Sequence, residues 1–295
     1  MRKPIFSIFI IITIILFSYS AHAEKTPDRI ISLAPNITEI LFALDLGDRI
    51  VGVTNFCDYP EETMNKQKVG GMTNPSLEAV VSLLPDIVVM TTDGNQKEFE
   101  KKVRSLNIKT YVFKTRRISE LPQGIRDLGR ALGAQENADM LAREIERSMN
   151  AVKTSSQTLG PQAHPRSTLA KGGTVGKKIL FIIWPEPLIV AGPGTAIDDI
   201  ITLLQGANSA SQAMIAYPKY SIEEIIRQEP DYILIGKGHE NVKTIAEGLL
   251  RKVKRVPAVQ NGSVCYVSDT LYRLGPRIVK GIEEMARCIG SKSQQ

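Results

Sequence analysis

SELPQGIRDLGRALGAQENADMLAREIERSMNAVK, Ser119 to Lys153, lies near the middle of the chain and reads as helical almost throughout. Its second part, Glu136 to Lys153, places apolar residues at Ala138, Leu141, Ala142, Ile145, Met149 and Val152, one face of a helical period. Glu136 and Asp139 near its start and Arg147 and Lys153 toward its end complement the peptide dipoles. At ~1.5 Å per residue the segment reaches roughly 27 Å, about the width of a small domain. A helix of that length serves as a stiff strut with a lobe on either side.

Both flanks alternate between short β-branched runs and amphipathic helices. On the N-terminal side, Arg29 to Leu33 and Arg49 to Thr54 read as strands around a helix that begins at Pro35 and stops at Gly47. A short helix (Ser76 to Leu84), a buried strand (Asp86 to Met90), a helix (Gln96 to Leu106) and a strand (Thr110 to Phe113) follow. On the C-terminal side the expected strands are Lys178 to Ile183, Tyr232 to Ile235 and Val264 to Val267, separated by helices and closed by a helix from Pro276 to Cys288. Such alternation predicts an α/β fold, with a parallel sheet covered by helices in each lobe.

The two flanks also share a pattern at an offset of 145 residues. Ser76-Leu-Glu78, Val80-Val81, Pro85-Asp86 and Ile87 to Met90 lie over Ser221-Ile-Glu223, Ile225-Ile226, Pro230-Asp231 and Tyr232 to Ile235. Serine caps helices and Pro-Asp makes turns in unrelated folds. With the strut lying between the copies, duplication of a helix-turn-strand unit is the preferred reading. Residues 1–23 read as a secretory signal: Arg2 and Lys3, an apolar run from Ile5 to Phe17, and Ala21-His22-Ala23 at the cut. No cysteine follows that cut, which argues against lipid anchoring, and no later apolar run nears the ~20 residues of a membrane span. The organisation is therefore a signal (1–23), a first lobe (24–118), a linking helical segment (119–157), a mobile basic loop (158–177) and a second lobe (178–295). The expected product is a soluble exported protein.

The 295 residues, 43% hydrophobic and 23% charged, suffice for two cores. The formal charge of +6 loses Arg2 and Lys3 on cleavage and becomes +4. Arg166, Lys171, Lys177 and Lys178 concentrate much of the excess between Ala163 and Lys178, where no aromatics are interleaved, so a nucleic-acid arm is not expected. Cys57, Cys265 and Cys288 make an odd count, satisfied by one pair and a spare or by three buried thiols.

Glu78 and Glu223 each stand two residues after a capping serine, in an exposed first helical turn. One such acid compensates a helix dipole; two at matching positions can also dock on basic pockets of a symmetric partner. Tyr59, Trp184, Tyr217 and Tyr272 are expected in loops after strands, where an open parallel sheet binds ligands, although packing explains any one of them. Asp269 and Arg273 can fix the polar edges of a ligand or simply pair with each other. Nucleophile-elbow and phosphate-loop motifs are lacking. Only His164 and His239 survive signal removal, so a zinc site of several histidines is not expected. An exported α/β enzyme using Asp269 or His239, or an adaptor binding protein alone, are the rival readings.

Arg29-Ile-Ile-Ser-Leu-Ala-Pro-Asn-Ile-Thr-Glu39, Gly47-Asp-Arg-Ile-Val-Gly-Val53, Cys57-Asp-Tyr-Pro60, Gly70-Gly71 with Pro75-Ser-Leu-Glu78, and Pro85-Asp-Ile-Val88 together resemble the periplasmic cobalamin-binding proteins of ABC importers. The wider group is the helix-hinged class of substrate-binding proteins, which also handles siderophores and haem. The resemblance runs from about residue 28 to 289. It implies two Rossmann-like lobes joined by a rigid helix, a ligand held between them with little closure, no resident cofactor and no catalysis. It further implies that Glu78 and Glu223 engage arginines of the two membrane subunits. Tyr59, Trp184, Tyr217, Ser268-Asp269 and Arg273-x-x-Pro276-Arg277 fall at its ligand positions. Thr91 and Thr92 depart from it, standing where a better-known member has an aromatic. Cys288 matches a disulfide cysteine of the family, but its usual partner is missing near Gln205. A monomer carrying cobalamin or a related corrinoid is expected, with a ferric siderophore or haem as the second ligand class; Tyr59 keeps haem open.

Overall fold

The computed structural model describes residues 26–92, 94–158, 176–238 and 241–290. The expected signal and nearly all of the basic loop lie outside the described residues. The first lobe runs β1 (Ile30–Ser32), α1 (Pro35–Ala43), β2 (Ile50–Val53), β3 (Gln67–Lys68), α2 (Leu77–Ser82), β4 (Ile87–Thr91), α3 (Lys97–Ser105) and β5 (Lys109–Phe113). Its five strands are all parallel, in the order β3-β2-β1-β4-β5. All five residues of β4 are buried, which explains its unbroken apolar run: helices cover both faces of a parallel sheet. The stop after α1 is not Gly47 but Asp45, whose φ of 61° is left-handed; Gly47 opens a short 3-10 turn instead.

The linking segment is two helices rather than one. α4 (Leu121–Leu132) ends at Gly133, which takes the left-handed φ of 72° that favours glycine, and α5 (Gln135–Thr158) begins after Ala134. The two pack on each other. A Cβ on Gly129 would lie 2.2 Å from that of Ala138, so glycine is what lets them approach. Arg126 fastens the pair by reaching Asp139 and Glu146 across it. The strut is therefore α5 alone, braced by α4. At 24 residues it reaches roughly 36 Å.

The second lobe runs β6 (Lys178–Pro185), β7 (Leu188–Val190), α6 (Ala196–Leu203), β8 (Ala207–Asn208), α7 (Ile222–Gln228), β9 (Tyr232–Gly236), α8 (Val242–Lys252), α9 (Pro257–Gln260), β10 (Val264–Val267) and α10 (Ile278–Gly290). The strand order is β10-β9-β6-β7, with β8 pairing the start of β6; only β7 is antiparallel. The hairpin β6-β7 extends β6 two residues beyond the expected Ile183. Trp184 consequently sits within a strand, opposite Ile189, and not in a loop after one.

The repeated unit folds alike in both lobes. Ser76 Oγ accepts from Ala79 N and Ser221 Oγ from Glu224 N, capping α2 and α7. Each helix buries one equivalent residue, Val80 or Ile225. Each is followed by a left-handed residue at the same offset, Leu84 at φ 47° and Glu229 at φ 48°. Asp86 then accepts from Asp28 N and Arg29 N at the head of β1, and Asp231 from Lys178 N at the head of β6. In both lobes the Pro-Asp pair thus sets the register of the central strands, a role beyond making a turn.

The main core crosses from lobe to lobe. Ile30, Ile37 and Phe113 belong to the same buried cluster as Leu128 and Ile145 of the linker and Phe181, Ile200 and Ile278 of the second lobe. Separate clusters around Val88 and Ile233 line the outer faces of the two sheets. Cys265 of β10 is bridged to Cys288 of α10, while buried Cys57 stays a thiol between Thr38 and Thr54. Cys288 is thus paired, with Cys265 and not with a residue near Gln205. The bridge closes a 23-residue loop, which in the chain-entropy view stabilises by about 3 kcal/mol. Urea unfolding of Cys265→Ser/Cys288→Ser is expected to show a loss of that size, and addition of reductant should leave the double variant unchanged.

Candidate functional site

Strands β1, β2, β4 and β5 of one lobe and β6, β9 and β10 of the other end in loops, and chain order reverses between β1 and β4 and between β6 and β9. Ligands of open parallel sheets bind beyond strand carboxyl ends at such reversals. Here an open cleft of about 570 Å³ lies between the lobes, lined by Thr92 and Arg116 from the first lobe and by Pro193, Gly194, Thr195, Ile215, Ala216 and Tyr217 from the second.

Each wall is held rigidly. Gly194 adopts φ 73°, and its amide donates to Asp198 Oδ2. Thr195 caps α6 by accepting from Asp198 N and donates its hydroxyl proton to Gly192 O. Gly192 N in turn donates to Ala216 O, fixing the segment that carries Ile215 and Tyr217, and a Cβ on Gly192 would lie 2.6 Å from Ile215 O. On the facing lobe, Asn95 accepts from Thr91 N and donates to Leu33 O and Met72 O, joining three loops at one side chain. Asn95 escaped the sequence reading. Its signal was an asparagine four residues past a buried strand.

Of the aromatic residues expected near a ligand, Tyr217 lines the cavity. Tyr59, in the loop after β2, and Trp184, at the end of β6, are both exposed. Tyr272 packs edge-on to Phe181 at 6.4 Å between centroids and is a core residue, its phenol pushed up to about 12 chiefly by burial. Phe56, Ile215 and Met214 add exposed apolar surface in loops beyond strand ends, Met214 with 99% of its surface in water. These three went unrecognised because nothing in their spacing separates a ligand rim from a core.

Asp269 and Arg273 form the ion pair weighed from the sequence, at 2.6 Å, but within a larger network between the lobes. Glu39 of α1 keeps 2% of its side chain in water and receives Arg277 Nε at 2.9 Å and Nη2 at 2.5 Å. Arg273 reaches Asp58 Oδ1 at 2.5 Å and approaches Glu39 at 3.6 Å. Burial alone would lift the Asp58 carboxyl, yet the Arg273 hydrogen bond and charge hold it below the usual range. The hydrogen bonds that Arg277 donates to Glu39, outweighing burial, raise its guanidinium. That guanidinium also lies 4.1 Å over the ring of Tyr59, so a first-lobe tyrosine is seated by a second-lobe arginine. A second clasp joins Arg117 to Asp199, which also accepts from Ile118 N at 3.2 Å.

Glu78 and Glu223 are exposed in the first turns of α2 and α7, as their serine caps require. The Glu223 carboxyl is held low by its own backbone amide and by the Ser221 hydroxyl. His164 and His239 lie outside the described residues. Among the described residues no cluster of His, Cys, Asp and Glu is arranged to hold a metal ion, and no helix is long and apolar enough to cross a membrane.

Residues 30–271 match the periplasmic binding protein family. The chain belongs to that family. It is 28% identical over 271 residues to YvrC, an ABC transporter substrate-binding lipoprotein of Bacillus subtilis, covering 90% of this chain and 81% of YvrC. It is 25% identical to a vitamin B12-binding protein of Vibrio parahaemolyticus, covering 92% of each. Among solved structures, the vitamin B12-binding protein BtuF of Vibrio cholerae superposes with a TM-score of 0.78 at 24% identity, over 92% of this chain and 99% of that one. The apo haem-binding protein RhuT of Roseiflexus superposes with a TM-score of 0.77 at 25% identity, over 90% and 99%. The protein is thus a helix-hinged substrate-binding protein of an ABC importer and not an enzyme, and its partners are a small molecule and a permease.

Removing Arg277 would leave buried Glu39 with only the more distant Arg273. Arg277→Met is therefore expected to lower stability by about 2 kcal/mol, whereas Glu39→Gln/Arg277→Met should recover much of the loss. A double-mutant cycle by urea unfolding reads this directly, and additive losses would refute the pairing.

Proposed function

We propose that this protein captures cobalamin or a related corrinoid between its lobes and delivers it to an ABC permease. The observation that carries the ligand reading is the cavity of about 570 Å³, walled by both lobes, with one charged residue among the described residues lining it. A corrinoid is a broad macrocycle fringed with amides. Aliphatic and aromatic groups cover such faces, and the hydroxyls of Thr92 and Thr195 are of the kind that bond its rim. Tyr59, Trp184 and Tyr217 supply the aromatic contacts in this reading. Arg273 contributes more by holding the lobes than by reaching the ligand, with Asp269 steadying it, because each is already engaged. Vitamin B12-binding relatives matched over nine-tenths of their length support the assignment. Haem or a ferric siderophore is the second reading, favoured by the likeness to RhuT and by the exposed phenol of Tyr59.

Glu78 and Glu223 are proposed to dock on basic pockets of the two permease subunits, one acid from each lobe. The protein acts as an exported, soluble monomer without a resident cofactor. YvrC's description as a lipoprotein raises membrane anchoring as the contrary arrangement, and the residues that would decide it lie in 1–25, outside the described residues.

Trp184 is the only tryptophan, so it reports on its own cleft. Mature protein titrated with cyanocobalamin, cobinamide, haem and a ferric siderophore should change its fluorescence with a corrinoid at a Kd below roughly 10 μM, about 7 kcal/mol of binding. Calorimetry should agree, and Trp184→Ala should weaken binding; a tighter response to haem would sink the corrinoid reading. Glu78→Lys/Glu223→Lys should abolish ligand uptake while leaving affinity intact, and equal loss of both would show that the acids support the fold instead.

A further inference from the structure

In a parallel pair of strands, a residue donates to the carbonyl just before its partner and accepts from the amide just after it. β1 and β4 keep that pattern as far as Leu33 N, which donates to Val89 O at 2.9 Å. The next rung would run from Thr91 N to Leu33 O. A side chain takes its place. Thr91 N donates to Asn95 Oδ1 at 2.7 Å, and Asn95 Nδ2 donates to Leu33 O at 3.1 Å. The carboxamide of Asn95 therefore stands in for a peptide group, wedged between two strands at their carboxyl ends. Its second amide proton goes to Met72 O at 2.7 Å, in the connection after β3.

The wedge sits at the one point in the first sheet where chain order reverses, between β1 and β4. Ladder bonds would otherwise zip these strands together up to the cleft. With the carboxamide inserted, their ends are parted by the width of one amide group. Both protons and the oxygen of that group are engaged, which fixes its plane. A Cβ on Gly94 would lie 2.5 Å from Met72 Cε, so the turn bearing Asn95 and the Met72 connection are also in close contact. Thr92, the residue after the held Thr91 amide, lines the cleft, and Thr92 N donates to Phe113 O of β5 at 3.4 Å. Asn95 itself is not among the lining residues, so its influence passes through Thr92.

We propose that Asn95 is a positioning residue of the ligand site, a polar wedge that keeps the ends of β1 and β4 at a set separation and so holds the Thr92 wall in the shape that binds. The inference rests on the cleft being the ligand site. Apparent affinity scales with the fraction of molecules whose site is already in the binding shape. Loss of the wedge lowers that fraction and slows association. Loss of a direct ligand contact would instead speed dissociation.

Stopped-flow binding of cyanocobalamin, with haem as the second probe, to the full mature chain, Asn95→Ala and Asn95→Ser separates these outcomes. Asn95→Ala should bind about tenfold more weakly, nearly all of it in the association rate. Asn95→Ser, whose hydroxyl is too short to span the gap, should change in the same direction and serves if Asn95→Ala does not fold. Asn137→Ala is the control for stability alone, because it loses an amide bond to Leu44 O between α5 and the end of α1. It should unfold at lower urea with no slower association. Unchanged binding in both Asn95 variants, or faster dissociation alone, overturns the proposal. In the free protein the Thr91 amide should exchange with solvent about tenfold faster in Asn95→Ala, as expected of a local opening. Should wild type bind neither probe, the ligand reading falls separately and this exchange decides the wedge: faster exchange upholds it, and an unchanged rate overturns it.

Discussion

Glu39 is a carboxylate withdrawn almost wholly from water in the first lobe, and its neutralising cation comes from the far end of the chain. Burying such a charge costs several kcal/mol unless it is paired and hydrogen-bonded. Arg277, 238 residues later, meets it in two-pronged fashion, and Arg273 stands close behind. The first lobe therefore cannot reach its final electrostatic state without the second. The apolar cluster that runs from Ile30 through Ile145 to Ile278 imposes the same condition by water exclusion. Charge pairing fixes the relative setting of the lobes, and hydrophobic burial supplies most of the adhesion. Such a pairing ties the setting of each lobe to that of the other.

The two lobes share a unit but use it differently. Strand ends in the first lobe present Thr92 and Arg116, on a wall tied together by Asn95. Those in the second present a glycine-rich turn and an apolar loop. Duplication thus supplied the frame, with matching caps, left-handed stops and strand-heading aspartates. The copies differ in their loops, since exposed connections change without disturbing a buried sheet.

The sheets, helices and repeat were legible because each depends on local chemistry: β-branched runs, capping serines and the Pro-Asp pair. Reading Ser119 to Lys153 as one element failed at Gly133, because amphipathic periodicity resumes on the far side of a single left-handed residue. Trp184 was misplaced since its strand is lengthened by a hairpin partner, β7, whose three residues carry too little pattern to announce themselves. Asp269 and Arg273 drew notice as a polar pair. The engagement of Arg273 with Asp58 and Glu39 depends on contacts more than 200 residues apart, which no spacing rule encodes. Phe56, Met214 and Asn95 acquire meaning only when strand ends are brought together.

Arg273 and Arg277 both fall between Cys265 and Cys288, so the covalent ring made by those cysteines encloses the two cations on which the first lobe relies. Thiols remain reduced in the cytosol and pair in oxidising compartments. A molecule retained inside the cell would carry its arginines on an open, unstapled segment. One that had left would have them set on a closed loop. The segment that carries both cations is thus one whose closure depends on the redox state of its surroundings.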